Sequence, residues 1–323
     1  MSLDDLFKSY ESDLQIVEER IRDLFKSPVL AIPLIGKYIL DGGGKRLRPL
    51  ILLLSSDLAG YQGDARHILA GIIESIHTAS LLHDDVIDGA DIRRGKSPAH
   101  TVWGNQIVIL VGDFLYSNAL RLAVMQKSQR IMEALSEATT RMTEGEILQL
   151  AKTADPEITE EEYLSIVSAK TAVLISAACK IGAILGSLPE EKEEALTRFG
   201  MKTGIAFQMA DDILDYMADE GELGKRLGKD LKEGKITLPL LYLLKTASGK
   251  ETEQIKAIVR SNFTVSGLRK ILRFFRKYNS IGLSLQRAQD LIAEAKRELA
   301  VFPDSRAREG LLRIADYTLQ RTK

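Results

Sequence analysis

Two short acidic patterns stand out by residue type and spacing. Asp84-Asp85-Val86-Ile87-Asp88 recurs as Asp211-Asp212-Ile213-Leu214-Asp215, 127 residues further along. On a helix the first and fifth positions share a face, so Asp84 pairs with Asp88 and Asp211 with Asp215. Like charges at that spacing repel, and apolar residues precede them: Leu81 and Leu82 in the first case, Phe207, Met209 and Ala210 in the second. Carboxylates in such company call for a cation. Hard divalent cations prefer oxygen ligands, and magnesium takes one or two carboxylates together with phosphate oxygens. One copy alone reads more simply as a solvated acidic patch at a helix end. Two copies, each inside apolar helix, point to magnesium ions that bridge a diphosphate.

Basic and glycine-rich segments lie beside both patterns. Asp91-Ile92-Arg93-Arg94-Gly95-Lys96 follows the first, and Gly224-Lys225-Arg226-Leu227-Gly228-Lys229-Asp230 with Gly234-Lys235 follows the second. Gly42-Gly43-Gly44-Lys45-Arg46-Leu47-Arg48-Pro49 lies upstream. Glycine lets a backbone approach an anion closely, and arginine offers a planar fork to phosphate oxygens. The triple glycine does not match the nucleotide P-loop, which requires G-x-x-x-x-G-K-S/T. Lys229 and Lys232 read as solvated surface charges.

The elements that must position these groups are helical. The chain has 8 prolines in 323 residues, about half the usual share, and helix interiors exclude proline. Leu3, Leu6, Phe7, Tyr10, Leu14, Val17, Ile21 and Phe25 recur at spacings of three and four, an amphipathic stripe. Similar stripes cover 65–82, 107–125, 129–150, 160–185, 190–218 and 284–300. Thr159 with Glu162 predicts a capping box. The pattern predicts an all-α fold: one large helical bundle, a single domain over 1–323. The 44 Lys and Arg nearly balance the 45 Asp and Glu, which argues against a nucleic-acid partner. The single cysteine, Cys179, forms no internal disulfide and fits a reducing, cytoplasmic location. The acidic start lacks the chemistry of a secretory signal. No transmembrane segment is predicted, since the most apolar window, 171–188, is interrupted by Lys180.

The segments GGGKRLRP, LLHDDVIDGADIRRGK, Lys170-Thr171, FQMADDILD and GKRLGKDLKEGKITLP occur in that order. Together they resemble the trans-isoprenyl diphosphate synthases, over nearly the whole chain from about residue 30. The likeness is strongest to the long-chain branch, the octaprenyl diphosphate synthases that make quinone side chains. The resemblance implies a helical bundle around a deep central cavity, a homodimer, and facing aspartate motifs at the cavity mouth. It implies that Asp84 and Asp88 hold two magnesium ions and Asp211 a third, with Asp215 and Asp85 in support. The allylic diphosphate, expected to be farnesyl diphosphate, falls to these ions with Arg93, Lys170, Lys225 and Lys235. Isopentenyl diphosphate falls to Lys45, Arg48, His77 and Arg94. The carbonyl of Lys170, the hydroxyl of Thr171 and the amide of Gln208 are placed near the developing allylic cation. His77 also reads as a core histidine and Thr171 as a residue bonded back within its helix. Two positions depart from the commonest pattern: Gly89, where many relatives carry an acidic residue, and Ile236, often proline.

Product length is read from the helix leading into the first motif. Ala79, five residues before Asp84, lies about 7.5 Å deeper along the helix. It and Ser80 are small, where short-chain relatives carry bulky aromatics. An open cavity and a C40 octaprenyl product are therefore expected, with heptaprenyl, nonaprenyl and shorter products as alternatives; tight helix packing also explains small residues there. Tyr116, Leu120 and Met125 are candidates for a deeper floor. A terpene cyclase also uses aspartate-rich magnesium sites, but Lys45, Arg48 and Arg94 argue against it. A noncatalytic partner subunit is expected to lose its aspartates. The basic stretch 268–277 reads as a packed helix with a solvated basic face, with peripheral contact to an anionic membrane as the alternative.

Overall fold

The computed structural model describes residues 2–93, 95–217, 228–260 and 264–320. Arg94 and Lys225, both expected at the site, lie outside the described residues. Among those described there is no β-strand, and a single isolated bridge pairs Arg93 with Lys96. The all-α expectation holds. The chain forms two compact units: Met1–Thr139, Ala177–Thr197 and Val301–Leu311 make the first, and Thr140–Ser176, Arg198–Ala300 and Leu312–Lys323 the second.

The first unit begins with α1 (Leu3–Ser9), α2 (Glu11–Leu24), α3 (Ala31–Leu40) and α4 (Leu47–Leu58). The N-terminal amphipathic stripe is carried by two helices, with a break at Tyr10, whose backbone leaves the helical region while its hydroxyl donates to Asp57 Oδ2 at 2.5 Å. Tertiary bonding has overridden a continuous apolar period there. The central element is α5 (Ala65–Ile87), which packs on α2, α4 and α7 (Asn105–Met125), with the short α6 (Ala99–Trp103) leading into α7. Along α5, Leu69, Ile72, Ile73, Ile76 and Ala79 are fully buried. The helix stops at Asp88, and Gly89 follows with φ +58, a left-handed conformation that glycine takes without steric cost.

The second unit receives the C-terminal half of α8 (Gln129–Ala151), then α9 (Glu160–Val167), a π-helical turn (Ser168–Ala172) and the start of α10 (Val173–Leu185). The capping box is present: Thr159 Oγ1 accepts from Glu162 N at 3.2 Å, and Glu162 Oε2 accepts from Thr159 N at 2.8 Å. Most of α11 (Glu190–Leu214) follows, then α12 (Lys229–Lys232), α13 (Leu238–Thr246), α14 (Gly249–Arg260), α15 (Val265–Tyr278) and α16 (Ser280–Glu298), with α17 (Arg306–Gln320) at the end. The basic stretch lies in α15. Leu268, Ile271, Phe274 and Phe275 are buried there, while Arg269, Lys270, Arg273, Arg276 and Lys277 are exposed. Its apolar face is thus committed to the protein interior.

Two helical runs are long and apolar enough to cross a membrane by length and composition alone. In Glu160–Leu185, 72% of the apolar window is buried, as a core helix requires; in Asn105–Met125 the share is 33%. The sequence reading passed over the latter. Val108, Val111 and Leu115 of α7 are buried, while Ile107, Leu110 and Val124 are exposed by 42%, 64% and 59%.

Candidate active site

Both aspartate motifs stand at the C-terminal end of a long helix. Asp88 N donates to Asp84 O at 2.8 Å, and Asp215 N donates to Asp211 O at 3.2 Å, so each first and last aspartate share one helical turn as their spacing predicts. A helix C-terminus carries partial negative charge and favours cations nearby. Neither α5 nor α11 has a basic residue in its last turn. Carboxylates are therefore concentrated where the backbone itself is negative.

In the first unit, Asp84 and Asp88 are half-buried, whereas Asp85 is buried. Arg93 meets Asp85 Oδ1 through Nε at 2.7 Å and Nη2 at 2.5 Å. Asp85 thereby fixes the plane of the guanidinium. A pocket opens beside this pair, lined by His77, Thr78, Arg46, Arg93 and Lys96 among others. His77 therefore borders a cavity, and Ser80 Oγ donates to its backbone carbonyl at 2.8 Å. Lys45, exposed, and Arg48, half-buried, are not among this cavity's lining. Arg46, which the sequence reading passed over, is buried, bonded to Glu18 and 3.1 Å from Glu74 Oε1. Burial pulls its pKa down, but the two glutamates outweigh that and hold it above the ordinary value. Lys96 was also missed; its Nζ donates to Asp41 O at 2.9 Å. Of the chain-length pair, Ala79 is fully buried and Ser80 half-buried.

In the second unit a cavity is lined by Lys170, Thr171, Gln208, Asp212, Tyr163 and Lys235, with other residues. Lys170 and Thr171 occupy the π-helical turn, in which Val173 N donates to Ser168 O five residues back. Such turns recur at functional sites. Two glycines let neighbouring helices close on it. A Cβ at Gly204 of α11 would lie 2.6 Å from Ala172 Cα, and one at Gly145 of α8 would lie 2.8 Å from Lys170 N. Thr171 does not bond back within its helix; its Oγ1 donates to Gln208 Oε1 at 2.8 Å. Lys170 Nζ lies 2.8 Å from Glu146 Oε1, and Lys235 Nζ lies 2.7 Å from Glu233 Oε2. Neither glutamate was read as a site residue.

Asp212 is buried, accepting from Gln208 Nε2 at 2.8 Å and Tyr163 at 2.7 Å. Burial pushes its pKa up to about 6, against the pull of these two donors. Burial also holds the Tyr163 phenol well above its ordinary pKa, which keeps it a donor. Asp215 accepts from Lys229 N at 3.1 Å and Asp230 N at 3.2 Å, so it caps α12; burial raises its pKa too. Among the described residues no three His, Cys, Asp or Glu side chains converge to hold a metal ion by themselves.

The polyprenyl synthetase family model matches residues 31–274. The chain belongs to this family. It is 39% identical to octaprenyl diphosphate synthase of Escherichia coli K12 over 323 residues, all of both chains. It is also 37% identical to a short chain isoprenyl diphosphate synthase of Methanothermobacter thermautotrophicus, covering 99% of each. A solved polyprenyl synthase from Caulobacter crescentus CB15, complexed with calcium and isoprenyl diphosphate, superposes with TM-score 0.93 at 39% identity, covering 100% of this chain and 98% of that one. As a family member the chain is a trans-prenyl diphosphate synthase, an enzyme of isoprenoid biosynthesis.

Proposed function

We propose that this polyprenyl synthetase extends farnesyl diphosphate with successive isopentenyl diphosphates to octaprenyl (C40) diphosphate for quinone side chains. The observation that carries the product length is α5. It has no Phe, Tyr or Trp along its length, and the small Ala79 and Ser80 stand five and four residues before Asp84. The full-length identity to an octaprenyl synthase supports the same product.

Magnesium fits the donor set: oxygen ligands only, at helix ends whose dipole is negative and whose last turns hold no cation. Asp84, Asp88 and Asp211 are its proposed ligands, up to three ions, with Asp215 assisting from its α12 cap. Phosphate oxygens and water would complete the coordination of such an ion. When bound there, magnesium supplies charge stabilisation for a departing diphosphate. Arg93, Lys170 and Lys235 hold the allylic diphosphate by charge-assisted hydrogen bonds. Lys225 is proposed beside them, and Arg94 with Lys45, Arg48 and His77 for isopentenyl diphosphate, on resemblance. Thr171, Gln208 and the Lys170 carbonyl offer oxygen to the developing allylic cation. The condensation product loses a proton to the released diphosphate, so no protein nucleophile is needed. We place the enzyme in the cytoplasm as a homodimer, with residues 1–323 serving one reaction. The exposed apolar residues of α7 favour self-association.

The test is product analysis with magnesium, farnesyl diphosphate and labelled isopentenyl diphosphate, the dephosphorylated products being resolved by length. A dominant C40 band, abolished by Asp84→Ala, is expected. Products ending at C15–C20 overturn the reading of Ala79 and Ser80. No incorporation by folded protein overturns the catalytic assignment of the sites.

A further inference from the structure

Asp212 belongs to the second motif, yet each of its oxygens already has a partner. Tyr163 donates to Oδ2 at 2.7 Å, and Gln208 Nε2 donates to Oδ1 at 2.8 Å. Since an ionised carboxylate only accepts, Gln208 must turn its NH2 towards Asp212 and its carbonyl away. That carbonyl then accepts from Thr171 Oγ1 at 2.8 Å. A threonine hydroxyl has one hydrogen; given to Gln208 Oε1, it leaves Oγ1 only lone pairs for any other partner. All four side chains line the same cavity. Tyr163 is 3% exposed and begins the relay from α9, eight residues before Thr171 in the π turn.

We propose that Tyr163 is a positioning residue that, through Asp212 and Gln208, sets the polarity of Thr171, so that its oxygen presents lone pairs to the positive charge developing on the allylic substrate. The inference rests on the reading of this cavity as the place of ionisation. Without the Tyr163 hydroxyl, Asp212 Oδ2 loses its partner and the carboxylate is free to rotate. With an amide in place of Asp212, Gln208 can reverse, which turns the Thr171 hydrogen towards the cavity. A hydrogen facing a developing cation is the wrong end of the dipole, so the penalty falls on the transition state and spares ground-state binding.

The experiment uses the full-length enzyme with magnesium and two allylic probes. One carries an ammonium nitrogen where the cation develops and is added with inorganic diphosphate; the other is a neutral thiolo-diphosphate. Tyr163→Phe keeps the ring and Asp212→Asn keeps the shape, giving two independent variants. Each should bind the ammonium probe about tenfold more weakly, bind the thiolo probe within about twofold of wild type, and lose kcat by a similar factor with KM values nearly unchanged. Tyr163→Phe added to Thr171→Val should cost nothing more than Thr171→Val alone. Equal weakening of both probes, no weakening of either, or an additive double variant overturns the relay while leaving the site assignment standing. Failure of wild type to bind either probe overturns the site assignment, and the relay with it.

Discussion

The two aspartate motifs share a sequence pattern and a place at the end of a long helix, but their middle carboxylates are held in opposite ways. Asp85 faces a guanidinium: Arg93, eight residues on, meets it with two nitrogens. Among the described residues, the donors to Asp212 are neutral, Tyr163 and Gln208. The last residues differ as well, because Asp215 is engaged by backbone N–H groups of α12. Asp88 instead ends its helix beside Gly89. A charge-paired middle residue presets the guanidinium of an arginine. A neutrally bonded one presets an amide and, through it, a hydroxyl. One pattern therefore orients a guanidinium in the first unit and an amide with its hydroxyl partner in the second.

The largest expected effect tests what the motifs have in common. Asp84→Ala and Asp211→Ala should each lower kcat/KM by about a thousandfold or more, since each removes a proposed ligand for charge developing on the diphosphate. Steady-state kinetics at saturating magnesium checks this. A small effect at either position means the two helix ends do not do the same work.

The middle positions should separate the motifs by stability. Asp85→Asn leaves Arg93 without its charge partner, and breaking a buried pair costs about 3–5 kcal/mol. With the Arg93 side chain 36% exposed, solvent screening reduces this to about 2–3 kcal/mol. Asp212→Asn keeps hydrogen-bonding neighbours that are neutral, so about 1 kcal/mol is expected. Urea unfolding of the two variants side by side reads the difference, and equal losses would erase the contrast.

How much of this was legible depended on where each partner lies in the sequence. Helical period, the capping box at Thr159 and the shared turn of each aspartate pair are local, and residue spacing sufficed for them. Arg93 was legible as a basic neighbour of its motif. Tyr163 was not, being 49 residues from Asp212 and looking like any core aromatic of an amphipathic helix. The π turn was hidden because an i→i+5 bond inserts a residue without interrupting an apolar run. Gly145 and Gly204, which make room for it, carry no signature beyond being glycine within helix. Arg46 was overlooked because its partners, Glu18 and Glu74, come from two other helices.

The π turn belongs to the second unit's cavity, so disturbing it should affect that half-site alone. In Gly204→Ala the new Cβ would sit 2.6 Å from Ala172 Cα and 2.8 Å from its Cβ, against backbone that cannot rotate away. Overpacking of this kind costs about 1–3 kcal/mol. The Thr171–Gln208 bond should lengthen with it, lowering kcat while the KM for isopentenyl diphosphate holds. An unchanged kcat would show that the turn tolerates displacement.

The smallest effect concerns the start of α9, the helix that brings Tyr163 to Asp212. Thr159→Ala removes the side-chain cap and should cost about 1 kcal/mol. Its reciprocal partner adds a pH signature. The hydrogen bond from Lys152, with the Thr159 N–H, holds the Glu162 carboxyl at about 2 against an ordinary 4.5. A folded-state pKa below the unfolded one means the carboxylate stabilises the fold in full above about pH 4.5. That contribution fades as pH falls towards 2. Glu162→Gln should therefore melt below wild type at pH 7, and the gap should close progressively through that acid window. Hydrogen exchange across residues 160–167 should follow the same course while the end of α5 stays unchanged. A gap that persists at pH 2, or one that reaches α5, would show that α9 is not a brace private to the second motif.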